Sequence, residues 1–330
     1  MKHVARAALA VGVLLGAMVF PKSAVEAGPP LQETFNEYFR SVPITANGDY
    51  IPIAGLNCSE ENPAFIFWYA PGTAADHLWQ IQDAEPLTYT STPMPVNGVY
   101  EPIVGDFDAD GCDDIFWYGV GTAPDYVWWN SPATTFTSVP FTVNGVYEPV
   151  VSRFGESATD DIFWYSPGPG TDYFWTGFLD RGFGSHVAPA VNGDYDIGSL
   201  GSSLYFHRPG PGSDYFWSDI DPETGSHTSQ AVHLDGSFTV EASVGGFVLY
   251  GPGAAEDLLL LVDLDEEGNV ETVPGTINGT YVDDVRSPRA SLLHVWHAPG
   301  PAPDYLWLPG RKAEEAPVER AQVPEFPGRG

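Results

Sequence analysis

The sequence predicts an all-β protein made of six repeated units that close into a ring. Three observations lead to this prediction. A short turn motif recurs six times, a second motif follows it at a fixed place, and an N-terminal segment resembles a piece that is missing from the last unit. The chain has 330 residues, which is room for one large β domain.

The first motif is Asn-Gly or Asp-Gly, then any residue, then an aromatic residue. This dipeptide is a strong signal for a tight turn between strands. Its copies follow one another at intervals of 43 to 50 residues and begin at Asn47, Asn97, Asn144, Asn192, Asp235 and Asn278. A period of this length is typical of the blades of a β-propeller.

The second motif is a Pro-Gly turn followed by an aspartate and, three residues later, a tryptophan. In the first unit these are Pro71-Gly72, Asp76 and Trp79, and the second unit has Val120-Gly121 in place of Pro-Gly. The later pairs are Asp125/Trp128, Asp172/Trp175, Asp214/Trp217, Asp257/Leu260 and Asp304/Trp307. One aspartate per repeat indicates a side chain that caps a turn rather than an active site.

Each unit is predicted to contain four strands. In the second unit they are expected at residues 100–107, 114–118, 126–130 and 135–142. The second of them, with Ile-Phe-Trp-Tyr at 115–118, is apolar on both faces and must therefore be covered on both sides. The sequence predicts a six-bladed β-propeller of four-stranded blades, with seven blades as the less favoured alternative.

The ring is predicted to close through the N-terminus. The sixth unit ends near Gly310 after only three strands, and residues 34–45 resemble the fourth strands of the first two units at 87–95 and 134–142. An N-terminal strand that completes the sixth blade would remove the free edges of an open array. The propeller is assigned to residues 31–310.

The two ends of the chain have other predicted roles. Residues 1–27 contain a basic start, an apolar run at 7–20 and small residues before Gly28, which is the pattern of a secretory signal peptide. Residues 311–330 are rich in Ala, Glu, Pro and Arg and are predicted to be a disordered tail. The mature chain is expected to lack a transmembrane segment and to be secreted, periplasmic or at the cell surface.

The chain is strongly acidic, with a formal net charge of -31. Such a surface repels phosphate backbones and anionic lipid headgroups, which argues against nucleic acid and membrane surfaces as partners. It suits cations such as calcium.

One segment of the second unit has the spacing of a calcium loop. Oxygen ligands stand at alternate positions in Asp106, Asp108 and Asp110, with Asp114 further on, and the backbone carbonyl of Cys112 is a further candidate. Gly111 occupies the place where such a loop must turn sharply, and calcium takes six to eight oxygen ligands in a flexible shell. A solvated acidic turn is the alternative. Trp117 stands where an EF-hand has its bidentate Glu, so the loop is not an EF-hand.

A D-x-D-x-D-G-x-x-D loop between the first two strands of a blade, followed by an aromatic strand and a Pro-Gly turn, resembles the FG-GAP/VCBS repeats. These repeats build the propeller of integrin α-subunits and occur in many bacterial exported proteins. The resemblance covers residues 35–310 as repeat architecture, but only the second unit keeps the loop, since Arg153 replaces the first aspartate in the third unit. It implies one calcium ion with a structural role.

The two cysteines are predicted to form a disulfide. Cys58 lies in the first unit's version of this loop and Cys112 in the second's, and neighbouring blades place such loops side by side. Two cysteines of an exported protein are more often paired than free.

The favoured function is an exported, calcium-binding module for adhesion or binding, with a carbohydrate-binding lectin as its sharper form. Its ligand would be a glycan or a protein on the cell surface or in the extracellular matrix. The alternative is an enzyme, a polysaccharide lyase or glycosidase acting in the propeller channel, which would need two carboxylates at a fixed separation. No catalytic residue could be assigned from the sequence.

Overall fold

The computed structural model describes residues 35–310, except for 62, 85, 132–134, 156, 233, 244–245, 254, 263–269, 278, 283 and 291–292. The predicted signal peptide and the predicted tail lie outside the described residues. No helix in the described part of the chain is long and apolar enough to span a membrane.

The described chain forms six antiparallel blades arranged as a β-propeller, which confirms the predicted fold and blade number. Blade one contains β2 (Ile51–Leu56), β3 (Ala64–Tyr69), β4 (His77–Ala84) and β5 (Leu87–Pro93). Blade two contains β6 (Glu101–Gly105), β7 (Asp114–Tyr118), β8 (Asp125–Trp129) and β9 (Thr137–Phe141). Blade three contains β10 (Glu148–Ser152), β11 (Asp161–Tyr165), β12 (Tyr173–Phe178) and β13 (Gly182–Val187).

Blade four contains β14 (Asp196–Leu200), β15 (Ser203–His207), β16 (Asp214–Ser218) and β17 (Thr228–Val232). Blade five contains β18 (Thr239–Ser243), β19 (Gly246–Tyr250), β20 (Asp257–Val262) and β21 (Val270–Gly275). The sheet of blade six contains β23 (His294–Trp296), β24 (Asp304–Pro309) and the N-terminal β1 (Phe39–Ile44), while β22 (Val285–Arg286), which precedes β23 in the chain, joins the sheet of blade one. A four-residue helix, α1 (Phe35–Tyr38), precedes β1, and a 3-10 helix, Pro288–Ala290, follows β22.

Ring closure follows the predicted scheme. β1 pairs antiparallel with β24, from Phe39 opposite Pro309 to Ile44 opposite Asp304. The N-terminal strand is therefore fixed to the last blade, and the strand β22 from the end of the chain is paired with the first blade.

The hydrophobic core lies between the blades. Every residue of the second strands β3, β7 and β11 is buried, as the Ile-Phe-Trp-Tyr pattern predicts. Rings from adjacent blades contact one another edge to face, for example Tyr69 with Trp117 at 5.1 Å and Tyr118 with Trp164 at 5.1 Å. Such aromatic contacts add to the burial that holds the ring together.

The two turn motifs meet at each described blade junction. Gly72 of the Pro-Gly turn donates to the carbonyl of Gly98 at 2.6 Å, and Gly98 donates back at 3.1 Å. Both glycines have positive φ, 108° and 145°. A side chain would be strained in this conformation, which explains why both motifs contain glycine.

Candidate functional site

The candidate site is the loop of residues 106–114 between β6 and β7, called the Asp loop below. Carboxylate oxygens of Asp106, Asp108 and Asp114 lie within 4.8 Å of one another, and all three residues are buried. The loop turns at Ala109 and Gly111, whose φ angles are 57° and 93°. The sharp turn predicted at Gly111 is therefore present.

The Asp loop is curled by its own carboxylates. Asp106 Oδ2 accepts a hydrogen bond from the Gly111 amide at 3.2 Å, and Asp108 Oδ1 accepts one from the Asp110 amide at 3.2 Å. Asp110 Oδ1 accepts from the Cys112 amide at 2.9 Å. Asp106 Oδ1 is buried and has no hydrogen-bond partner among the described residues. A buried carboxylate oxygen without a partner is costly, so this atom suits a cation ligand.

Asp114 also braces its own blade. Its Oδ1 accepts from the Asn130 amide at 2.8 Å and its Oδ2 from the Phe107 amide at 3.1 Å. Asp161 makes the same two bonds in blade three, with the amides of Gly177 and Phe154. Because blade three lacks the other aspartates of the loop, this bracing does not depend on a calcium loop.

Two arginines from other blades reach the Asp loop. Arg289, on the 3-10 helix of blade six, places Nη1 2.6 Å from Asp106 Oδ2. Arg181, between β12 and β13, places Nε 2.8 Å from Asp108 Oδ2 and lies over the Trp129 ring at 5.5 Å. Neither arginine is predicted from the sequence, because no local motif marks a residue that arrives from another blade.

The positive charge of the propeller is concentrated near this loop. Residues 35–310 contain six arginines and no lysine. Three of the six, Arg153, Arg181 and Arg289, pair with carboxylates of the Asp loop or of its counterpart in blade three. They offset part of the negative charge that would otherwise accumulate there.

The carboxyl groups of Asp106, Asp110 and Asp114 are nevertheless harder to ionise than usual. Burial raises the pKa of Asp106 to about 6, although Arg289 acts in the opposite direction. Burial also raises the pKa of Asp114 to about 9, against the hydrogen bond from Asn130, and it raises the pKa of Asp110. A bound cation would favour the ionised forms.

The predicted disulfide is present. Cys58 and Cys112 are bonded, with their Cα atoms 4.6 Å apart. The bond joins the loop between β2 and β3 to the Asp loop, so it ties blade one to blade two.

Asp113 strengthens the same junction between blades one and two. Asp113 Oδ2 accepts from the Leu56 amide at 2.6 Å, and the Asp113 amide donates to the Leu56 carbonyl at 2.8 Å. In blade three, Asp160 makes the same pair of bonds with Asp106. The first aspartate of each Asp-Asp pair thus binds the preceding blade and the second braces its own. Sequence analysis missed this, although the repeated Asp-Asp before Ile-Phe-Trp-Tyr was its visible signal.

The predicted turn-capping role of the recurring aspartate is confirmed. Asp125 Oδ1 accepts from the Gly119 amide at 2.7 Å and Oδ2 from the Val143 amide at 2.6 Å. Equivalent pairs of bonds to backbone amides are made by Asp76, Asp172, Asp257 and Asp304. Asp214 accepts from the Arg208 amide with Oδ1 and from the Tyr205 hydroxyl with Oδ2.

A central cavity of about 130 Å³ lies between the first strands of the six blades. Its lining includes the acidic residues Glu101, Glu241 and Asp284. Asp284 Oδ2 accepts from the Val295 amide at 2.7 Å, which gives it a role within blade six. The cavity is where an enzyme of the alternative class would place its carboxylates.

No family model and no curated protein sequence matches the chain, so the FG-GAP/VCBS assignment remains a resemblance. Two solved structures are similar. A protein of unknown function from Desulfotomaculum acetoxidans DSM 771 has 12% identity and a TM-score of 0.48, covering 77% of this chain and 80% of that chain. A streptogramin B lyase has 10% identity and a TM-score of 0.40, covering 82% and 98%. Neither similarity is close enough to carry an activity over to this chain.

Proposed function

We propose that the protein is an exported, calcium-binding β-propeller that acts as a binding or adhesion module. The observation that supports calcium is the convergence of the Asp106, Asp108 and Asp114 carboxylates around the unpartnered, buried Asp106 Oδ1. Asp110 and the backbone carbonyl of Cys112 complete the proposed ligand set. Hard carboxylate and carbonyl oxygens are the donors that calcium takes in proteins.

The two arginines are compatible with this ligand set. Arg289 and Arg181 contact the Oδ2 atoms of Asp106 and Asp108. They leave Asp106 Oδ1 without a hydrogen bond, and Asp108 Oδ1 is engaged only by an amide of its own loop. The ion would hold the geometry of a loop that contacts blades one, three and six, which is a structural role.

Calcium removal tests this proposal. A sample stripped with chelator and then returned to excess calcium should melt at a higher temperature than the stripped sample, because the ion binds only the folded loop. At a calcium concentration about a hundredfold above Kd, the stabilisation is about 2.7 kcal/mol, which corresponds to a shift of about 4–5 °C for a chain of this size. Differential scanning calorimetry measures the shift.

Variants locate the site. The double variant Asp106→Asn with Asp110→Asn should melt at the same temperature with and without calcium. Asp180→Asn is the matched control, because Asp180 is an exposed carboxylate on the neighbouring hairpin and does not belong to the proposed ligand set. Identical melting of the stripped and calcium-loaded wild-type protein would refute the calcium site.

A glycan is the proposed ligand of the module. The support is an aromatic pair on the outside of blade one, where Tyr89 stacks on Trp79 with ring centroids 3.9 Å apart. Tyr89 is 39% exposed. An exposed ring held flat by a buried one is suited to stacking against a sugar ring.

A glycan array distinguishes this proposal from the enzyme alternative. We expect saturable binding without loss of polymer length, and we expect Tyr89→Ala to weaken the binding about tenfold or more. Shortening of a polysaccharide by the wild-type protein would instead support a lyase or glycosidase acting at the central cavity, with Glu101→Gln and Glu241→Gln as the variants to test next. Binding that is unchanged in Tyr89→Ala would exclude the aromatic pair as the glycan site.

A further inference from the structure

The outermost strand of each blade is a sheet edge, and most of these edges carry a proline at one register position. Pro43, Pro93, Pro140 and Pro274 lie opposite Tyr305, His77, Tyr126 and Leu258. Each of those partners directly follows the recurring aspartate of its blade. Proline has no amide to donate, and within sheets it is tolerated where the amide would face solvent, so it blocks the addition of another strand.

Blades three and four lack this protection. The equivalent residue is Val187, opposite Tyr173, in blade three and Ala231, opposite Tyr215, in blade four. β13 and β17 are the terminal strands of their sheets. Their outward amides remain available for pairing.

Blade three also exposes large apolar side chains at both ends of its edge. Val187 is 65% exposed, while Phe178 and Leu179, in the hairpin before β13, are 47% and 74% exposed. The edge strand of blade four instead reads Thr-Ser-Gln-Ala-Val over 228–232 and has no large, exposed apolar side chain among its described residues. An open edge with apolar ends is a template for strand addition.

The acid-free edge of blade three is a place where a second copy of this chain can approach without direct repulsion between carboxylates. The net charge of -31 makes two copies repel each other over most of their surface. Residues 181–193, which include β13, contain no Asp or Glu. The outer strands of blades one, two and six are also free of acidic residues, but their prolines block pairing, and the acid-free β17 of blade four lacks the exposed apolar ends. β13 thus combines an open edge, exposed apolar ends and a neutral strand.

We infer that two copies pair through β13 as an antiparallel, two-fold symmetric dimer. In four other blades the residue equivalent to Val187 is a proline, so the amide at this position points away from the sheet. The direction of the backbone amides alternates along a strand, so the amides of residues 183, 185 and 187 all point outward. Ser185 then lies opposite Ser185 of the second copy, and Val187 lies opposite Phe183. Val187 of each copy approaches the hairpin that carries Phe178 and Leu179 in the other. The contact is isologous and closes after two copies.

Sedimentation velocity over about a hundredfold range of concentration tests this dimer. The wild-type chain should show a monomer–dimer equilibrium, and Val187→Pro should weaken it about tenfold or more because an amide is lost twice in a two-fold contact. Four other blades accept proline at this register, so the variant is expected to fold, which its melting temperature checks. Ala231→Pro in blade four is the control and should leave the dimer unchanged.

Cross-linking fixes the register. In oxidising solution, Ser185→Cys should give a covalent dimer, because residues directly opposite in such a pair have Cα atoms about 5.5 Å apart. Ser91→Cys is the matched control, since Ser91 faces Trp79 as Ser185 faces Trp175. A wild-type chain that remains monomeric at every concentration would overturn the inference, even if the edge of β13 bound a strand from another protein. A dimer unaffected by Val187→Pro, or equal cross-linking by Ser91→Cys, would also overturn it.

Discussion

At the end of the second strand of each blade, the side chain of a tyrosine or histidine connects that blade to the next one. Tyr69 Oη donates to the Gly98 carbonyl at 2.9 Å and accepts from the Tyr100 amide at 2.9 Å. Burial raises the pKa of Tyr69 to about 12, so the hydroxyl keeps its proton and remains a donor. Tyr118, Tyr165 and Tyr250 donate to the next Asn-Gly turn in the same way.

Histidine replaces this tyrosine in blades four and six. The ring of His207 lies against Asp214 and its Nε2 accepts from the Phe238 amide at 3.4 Å, while Nδ1 of His297 is 2.8 Å from Asp304. The sequence alone presents these histidines as scattered residues. Their role becomes visible once they are aligned with Tyr69 and its equivalents.

The recurring aspartate supports a prediction at the residue scale. Asp172→Asn should lower the free energy of unfolding by about 1–3 kcal/mol, because an amide side chain can accept only one of the two backbone bonds and leaves a buried N–H unpaired. In the wild-type protein, Asp172 accepts from the amides of Ser166 and Val191, both at 2.7 Å. Urea unfolding followed by tryptophan fluorescence measures the change.

Asp49→Asn is the control for this variant, since Asp49 is an exposed residue of an Asn-Gly turn. Its effect should stay within about 0.5 kcal/mol, as is usual for surface substitutions. If Asp172→Asn were as stable as the control, the recurring aspartate would not be a structural cap.

At the scale of elements, the strands were predictable because their signals are local. The Asn-Gly and Pro-Gly turns delimit each hairpin, and the apolar run at 115–118 specifies a strand that is buried on both faces. The predicted second strand of blade two matches β7, and the other three differ from the observed strands by one or two residues at each end. Strand ends depend on pairing with neighbours, which the sequence expresses weakly.

The surroundings of the Asp loop could not be predicted in the same way. The spacing of Asp106, Asp108 and Asp110 is a local signal, and so is the Asp-Asp pair that follows it. Arg289 is separated from Asp106 by 183 residues and meets it only because the ring closes. Arg181 comes from blade three through a hairpin turn in which its own φ is 68°. Contacts of this kind depend on tertiary packing and leave no periodic pattern in the chain.

At the scale of the whole molecule, the order of the strands along the chain differs from their order in the ring. β24 ends at Pro309 directly opposite Phe39, where β1 begins, and the Gly310 amide donates to the Tyr38 carbonyl at 2.6 Å. These two strands are therefore placed like the third and fourth strands of any other blade, without the covalent hairpin. Blade six is held to the N-terminus by pairing alone.

This arrangement predicts that a circular permutant will fold. A chain that begins at Thr45, runs to Gly310 and continues into residues 35–44 would connect β24 to β1 through Gly310 and the four residues of α1, and a five-residue connection is common in hairpins. Its melting temperature should lie within a few degrees of that of residues 35–310 in native order. A chain of residues 45–310 without the added strand should aggregate or fail to fold, because the edge of β24 and the aromatic faces of Trp307 and Trp296 lose the cover of Phe39. Size-exclusion chromatography and calorimetry distinguish the three chains. Equal stability of the truncated and native-order chains would mean that β1 does not close the ring.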